Sequence, residues 1–235
     1  MGSALKSALE DLLRARRLHA EGPPLRGEDR RARRLSTGLP GVDQALCGGF
    51  PRGCISQIQG ATSSGRTGLA LALVAQGTQA GGLAAWLDPG DRLDPASAAA
   101  SGVDLARLLW LRGDPLAPCV RTLQQTVAAL GTLVGSGLFE IIVFDLSGIP
   151  PAEIQRLPAA TWIRLQRVLE TTAVALVVLA DGHTAQGPGG LALTLQPGQP
   201  SWTGVPGPGR LLQGLGGQIQ VGRHDLRSTR FALIA

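Results

Sequence analysis

The sequence has no tyrosine, one lysine (Lys6) and an aromatic content of only 3% across 235 residues. So few aromatic side chains rule against a base-stacking platform of the kind that binds single-stranded nucleic acid. Its positive charge is almost entirely arginine, which, with the abundant alanine and glycine, suggests a GC-rich genome. The cysteines Cys47, Cys54 and Cys119 lack CxxC spacing, and His19, His183 and His224 are scattered, so no metal site is expected. An unpaired set of thiols without an evident leader predicts a reduced, cytoplasmic setting, with the cysteines acting as small buried hydrophobes. No apolar run reaches the roughly 18 residues a membrane span needs.

Hydrophobic residues make up 44% and charged residues 17%, enough for a packed core and against a disordered chain. The net charge of +5 is compatible with an acidic partner, including a weak or indirect DNA contact. Residues 3–20 read as a helix with Leu5, Leu9, Leu12, Leu13 and Leu18 on one broad face. A break at Gly22, Pro23 and Pro24 follows, then a basic run with Arg30, Arg31, Arg33 and Arg34. Residues 1–34 are therefore expected to form a helix and basic linker, and 35–235 the main domain.

From residue 54 the pattern alternates. Strands are expected at 54–59, 83–87, 108–111, 141–144 and 174–179. Helices are expected at 67–79, 94–100 (capped by Asp94), 120–134 and 158–171, the last with Pro158 at its first position. The continuous apolar runs of the strands predict a mostly parallel sheet covered by helices on both faces, an α/β fold. After Ala180, short strands at 191–195, 218–222 and 231–234 predict an antiparallel edge, with 196–209 a mobile loop.

One motif carries chemistry. Gly60-Ala61-Thr62-Ser63-Ser64-Gly65-Arg66-Thr67 fits the phosphate-loop pattern G-x-x-x-x-G-K-[ST] at every position but one, between an apolar strand and a helix start. Glycines let successive N–H groups turn toward phosphate oxygens, the helix dipole favours an anion, and Thr67 is placed to ligate magnesium. Ile141-Ile142-Val143-Phe144-Asp145 resembles the strand whose terminal aspartate holds the magnesium shell. The departure is Arg66 in the lysine position. A planar guanidinium does not replace a compact ammonium reaching the β- and γ-phosphates. Two readings stay open: weakly bound ATP and magnesium, or a loop that keeps only its shape.

The resemblance extends beyond the loop. Leu35-Ser36-Thr37-Gly38-Leu39-Pro40-Gly41-Val42-Asp43, then Gly48-Gly49-Phe50-Pro51-Arg52-Gly53, is similar to the segment before the phosphate loop in RecA recombinases. Ala85-Trp86-Leu87-Asp88 with Leu93-Asp94-Pro95, and Gly102-Val103-Asp104-Leu105, resemble the next stretch in order and spacing. RecA proteins carry a catalytic glutamate two residues beyond the aspartate matching Asp88. Gly90 stands there, beside Asp91. The segments 146–157 and 180–190 are short where recombinases have long DNA-binding loops, and the recombinase C-terminal domain has no counterpart.

The likeness is closer still to the ImuA family, on Asp94-Pro95-Ala96-Ser97, Leu105-Ala106-Arg107-Leu108-Leu109-Trp110 and Trp162-Ile163-Arg164-Leu165. That resemblance implies a RecA-like accessory protein of damage-induced (SOS) translesion synthesis with no catalytic residue of its own. Its implied partners are ImuB (an inactive Y-family polymerase homologue), RecA and, indirectly, an error-prone replicative-type polymerase. Arg66 and Gly90 favour this non-enzymatic reading. An active DNA-dependent ATPase, favoured by Thr67 and Asp145, and a regulator that caps RecA filaments are the alternatives. The 3–20 helix is a candidate for docking on RecA or on another copy of the chain. Arg156, Arg164 and Arg167, and the basic stretch with Arg223, Arg227 and Arg230 read as a hairpin, are further partner-binding candidates.

Overall fold

A computed structural model describes Ser7, Asp11 and residues 34–114, 116, 119–185, 187–205, 207, 209–222 and 227–234, with only the backbone for Leu212, Leu215 and 227–234. The expected helix at 3–20, with Leu5, Leu9, Leu12 and Leu13, lies outside the described residues apart from Ser7 and Asp11. Arg223 also lies outside them. Among the described residues no helix is long and apolar enough to cross a membrane.

The elements run α1 (Pro40–Ala45), β1 (Ile55–Gly60), α2 (Arg66–Gln79), β2 (Leu83–Asp88), α3 (Pro95–Ala100), a 3-10 turn (Leu105–Arg107), β3 (Leu108–Arg112), α4 (Cys119–Ser136), β4 (Phe139–Asp145), α5 (Pro151–Gln155), α6 (Ala159–Leu169), β5 (Ala175–Ala180), β6 (Ala192–Thr203), β7 (Leu211–Val221) and β8 (Arg227–Ile234). They build one eight-stranded sheet in the order β3-β2-β4-β5-β1-β6-β7-β8. The strands from β3 to β6 pair in parallel, and β7 and β8 continue antiparallel.

The middle residues of β2, β4 and β5 are apolar because each of these strands feeds two cores. Ile141 and Val143 of β4, with Ala84 and Trp86 of β2 and Val177 of β5, pack with Leu69, Leu73 and Val74 of α2. The alternate residues, Ile142, Phe144, Leu87 and Val178, pack with Leu123, Leu130 and Leu133 of α4 and Leu165 and Leu169 of α6. Period-2 alternation thus persists, but both faces are dry, so it cannot be seen as an apolar–polar alternation.

Before β1, Leu35 and Phe50 form an isolated bridge that closes the 35–50 segment. The Asp43 carboxylate accepts from the Ser36 hydroxyl (2.6 Å) and from Thr37 N–H and Oγ1 (both 2.8 Å). This explains the Ser-Thr…Asp spacing of that segment. Arg34 donates to the Gly49 carbonyl at 3.1 Å, so the last residue of the basic run is anchored.

Several expectations need correction. Pro158 is the N-cap of α6, with ψ 136°, rather than its first helical residue. Its fixed φ suits either place, but the extended ψ puts it outside the helix. The short segment 146–157 contains α5, and Ile149 enters the second core. β6 joins β1 in parallel before pairing with β7, so the antiparallel part begins one strand later than expected. Most of the expected loop 196–209 is strand, because β6 runs to Thr203 and β7 starts at Leu211 despite Pro197 and Pro200. Both prolines sit where the register shifts, which is where a ladder tolerates them. Arg227 and Arg230 lie in β8 rather than in a turn. Of the cysteines only Cys54 is buried. Cys47 and Cys119 are exposed thiols, Cys47 in a left-handed turn after α1 (φ 56°) and Cys119 at the start of α4.

The link between β5 and β6 carries no helix among its described residues and crosses close to the start of β1. Buried Gln57 holds it: its Oε1 accepts from Thr184 and Ala185 N–H (2.9 and 2.8 Å) and its Nε2 donates to the Gly182 carbonyl (2.7 Å). A side chain at Gly190 would collide with the Ile55 carbonyl.

Gly49 is an obligatory glycine by two criteria, a φ of 114° and a Cβ position that would overlap the Leu35 carbonyl. Gly49→Ala is expected to lower stability by about 2 kcal/mol or more. Gly131→Ala, in the interior of α4 with nothing near the new methyl, should raise it by roughly 0.5–1 kcal/mol. Urea midpoints of the two variants check both signs.

Candidate nucleotide site

The sheet brings the polar ends of its central strands together at one edge. β1 is flanked by β5 and β6, and β4 lies beyond β5. The phosphate loop after β1, Asp145 at the end of β4 and Asp181 just after β5 therefore line one cavity of about 750 Å³. Ligand sites of open parallel sheets form at this carboxyl edge because the loops there diverge.

The loop has the expected backbone. Ser63 (φ 62°) and Gly65 (φ 92°) take left-handed conformations, and a side chain at Gly60 would strike the Leu195 carbonyl and Ser64 Oγ. The Ser64 N–H closes a turn on the Ala61 carbonyl at 3.1 Å, and α2 starts at Arg66. The first N–H groups of α2 have no acceptor within the helix, and Arg66, Thr67 and Gly68, which carry them, line the cavity. Ser64 Oγ is buried without a hydrogen-bond partner, and the Thr67 side chain is exposed on the cavity wall. An orphaned buried hydroxyl inside a ring of N–H groups fits a phosphate group. Thr67 and Asp145 line the same cavity, as a magnesium-bound phosphate would need.

The cation does not fit that role as built. Arg66 is buried, and its Nη1 stands 2.6 Å from Asp181 Oδ1. This is a charge contact rather than an aligned hydrogen bond, since Nη1 has no acceptor in line. Asp181 Oδ2 also accepts the Gly148 N–H at 3.2 Å. Asp145 is buried, its Oδ1 accepting the Ser147 N–H at 2.9 Å. Burial pushes the Asp145 carboxyl above the usual aspartate range, against the lowering effect of Ser147, and the charge of Asp88 adds to the rise.

Asp88 and Asp91, on either side of Gly90, are both committed to partners within the protein. Asp88 is fully buried, and its Oδ2 accepts the N–H groups of Arg92 and Leu93 (both 2.8 Å) and the Trp110 indole N–H (3.2 Å). Gly90 follows in the turn. Asp91 faces the outer strand, where Arg112 binds it through Nε and Nη2 at 2.7 and 2.8 Å, and it does not line the cavity. The Arg112 bonds hold its carboxyl below the usual range.

The structure thus gathers Ser63, Ser64, Gly65, Arg66, Thr67 and Asp145 at one cavity, with Gly60 at the foot of the loop. Among the lining residues the sequence reading did not select are Asp181, Arg92 and Trp202. Asp181 had a legible signal, an acid directly after a continuous apolar strand, the same grammar as Asp145. Arg92 and Trp202 had none, since their approach depends on the Asp88 turn and the β6–β7 hairpin. Trp202 overhangs the cavity, with Arg210 5.4 Å from its ring centroid.

The other candidates lie elsewhere. Arg156, beyond α5, is exposed and paired with Glu153 at 2.7 Å. Arg164 and Arg167 are exposed on α6, opposite Leu165 and Leu169, and Arg164 donates to the Ala160 carbonyl at 3.3 Å. Arg227 and Arg230 follow β7 in the sheet, across the hairpin from Val221 and Gln218.

The family model of the RecA N-terminal domain matches residues 24–178. Among curated proteins, the chain is 36% identical over 187 residues to Protein RecA of Acidothermus cellulolyticus, which covers 77% of this chain and 51% of that protein. It is 37% identical over 164 residues to Protein RecA of Rubrobacter xylanophilus (67% and 46%). It is 39% identical over 153 residues to Protein RecA of Paenarthrobacter aurescens (63% and 42%). The chain spans about half the length of the curated relatives it matches. Since the matched span runs through the phosphate loop and every strand from β1 into β5, the chain belongs to the RecA N-terminal domain family.

Proposed function

We propose that this chain is a non-catalytic accessory protein on a RecA fold, of the ImuA type, serving damage-induced translesion DNA synthesis in the cytoplasm through protein contacts. The observation that carries the reading is Arg66. It stands where the phosphate loop needs a mobile ammonium, and its charge is taken up by Asp181. Gly90, in place of a water-orienting glutamate, and Asp91, committed to Arg112, support it. The proposed partners are an ImuB-type inactive polymerase homologue, RecA and, indirectly, an error-prone replicative-type polymerase. A self-association through the 3–20 helix belongs to the same proposal.

Bound nucleotide would bring magnesium and a phosphate chain that Thr67, Asp145 and the N–H groups of the loop would hold. These intact parts favour a second reading, a DNA-dependent ATPase. The protein's own side chains argue against turnover. Asp145 is held toward its neutral form by burial, which weakens it as a partner for a cation. Among the described residues no carboxylate takes the place of Gly90, so an attacking water has no acceptor on that wall. Capping of RecA filaments is compatible with the accessory role, because a protomer that cannot hydrolyse still presents a protomer's surface.

Three outcomes are expected. Purified protein should show no ATP turnover with or without single-stranded DNA, and Arg66→Lys alone should not create it, because Gly90 remains. DNA-stimulated turnover in the natural chain would overturn the accessory reading. Deleting residues 1–34 should abolish binding to RecA and self-association in sedimentation, and unchanged assembly would remove the docking role of the helix. Asp145→Asn should raise stability at neutral pH. Burial raises the folded-state pKa of Asp145, so its ionisation opposes folding, and the natural chain loses stability as pH rises from the ordinary value through the raised one. The advantage of the Asn variant in urea melts should therefore vanish below a pH of about 3.9.

A further inference from the structure

The geometry points to Asp181 as a built-in competitor for phosphate: its carboxylate holds the loop's buried cation, Arg66, and a polyphosphate reaches that cation only by displacing it. This rests on the reading of the loop as a phosphate cradle that no longer works as a motor.

The ligands of Asp181 are those of an anion site. One oxygen meets the guanidinium of Arg66 at 2.6 Å and the other accepts the backbone N–H of Gly148 at 3.2 Å. The pairing follows from topology. β1 and β5 are parallel neighbours with Gln59 opposite Ala180, so the residues that follow them leave the sheet side by side. Arg66 is nearly buried, with 8% of its side chain exposed, whereas Asp181 is half exposed at 50%. The cation is therefore fixed and the carboxylate is free to swing into solvent. Charge-assisted contacts of this kind dominate anion recognition in a partly dry cleft.

Three further groups are arranged for the same incoming anion. Ser64 Oγ is buried without a partner inside the loop. Gly148 (φ 69°) would offer its N–H once Asp181 leaves. Arg92 packs against Gly148, its guanidinium atoms being the nearest to that glycine's Cβ position, and it lines the cavity. An entering phosphate thus meets two arginines, but also the charge of Asp181 that neutralises one of them. Close charges in a low-dielectric cleft act far more strongly than in water. Asp181→Asn keeps an acceptor for Gly148 and the side-chain size while removing that competing charge.

The test is titration of the full chain with inorganic tripolyphosphate, and separately with ATP and magnesium, followed by calorimetry. Asp181→Asn is expected to bind tripolyphosphate at least about tenfold tighter than the natural chain, and adding Arg66→Ala should remove the gain. Equal or weaker binding by folded Asp181→Asn, or a gain that survives Arg66→Ala, overturns the proposal. If Asp181→Asn does not fold, Asp181→Ser reads the same affinity. The two layers separate cleanly. Turnover by the natural chain sinks the accessory reading, whereas a silent natural chain with no gain in the Asp181 variants sinks only the competitor.

Discussion

The burial of β2, β4, β5 and β1 on both faces governs everything else in this molecule. In β2, β4 and β5 the dry faces leave polar groups only near the strand ends, while the polar residues inside β1, Ser56 and Gln57, are buried with their side chains hydrogen-bonded. Ile141 to Phe144 and Leu176 to Leu179 are fully buried, and the first polar groups after them are Asp145 and Asp181. The parallel arrangement then places those ends at one edge. The phosphate loop joins them there because β1 lies beside β5. The site is thus a consequence of how the sheet is covered, and the helices α2, α4 and α6 that cover it determine which residues reach the cavity.

The same constraint explains what was readable in the sequence. Strands buried on two faces are continuous apolar runs, and these were placed within about two residues of their bounds. The Asp94 cap was legible because an extended residue whose carboxylate reaches the N–H groups two and three positions on has few other uses, and it does accept from Ala96 and Ser97. The α/β class and the phosphate loop followed directly. Where the chain leaves the doubly covered sheet, the pattern fades. β6 beyond Gln196 and β7 are partly exposed and rich in Gly and Pro, so local chemistry reads as loop while the ladder to the neighbouring strand makes it a sheet.

Side-chain destinations were harder to read than elements. Asp88, Asp91 and Asp181 are equally acidic in the sequence, yet they do three different things. Asp88 is sealed beneath the turn that follows β2, bonded to two backbone N–H groups and Trp110. Asp91, only three residues on, turns outward to Arg112 because its left-handed backbone (φ 52°) reverses the chain. Asp181, far away in sequence, closes on Arg66. Trp110, Arg112 and Arg66 are partners that strand order supplies, and strand order is not encoded in any local window.

The replacement of lysine by arginine gains meaning in this light. A lysine at the start of α2 would be a point charge on a flexible stem, strongly hydrated and able to follow a moving phosphate. An arginine is a planar fork suited to a fixed carboxylate, and here it has one at 2.6 Å. Arg66 and Asp181 are therefore complementary charges. The arginine alone would leave a buried charge at the loop, and the aspartate alone would repel a phosphate without stabilising anything. Together they neutralise the loop from within and let it keep its shape with no ligand.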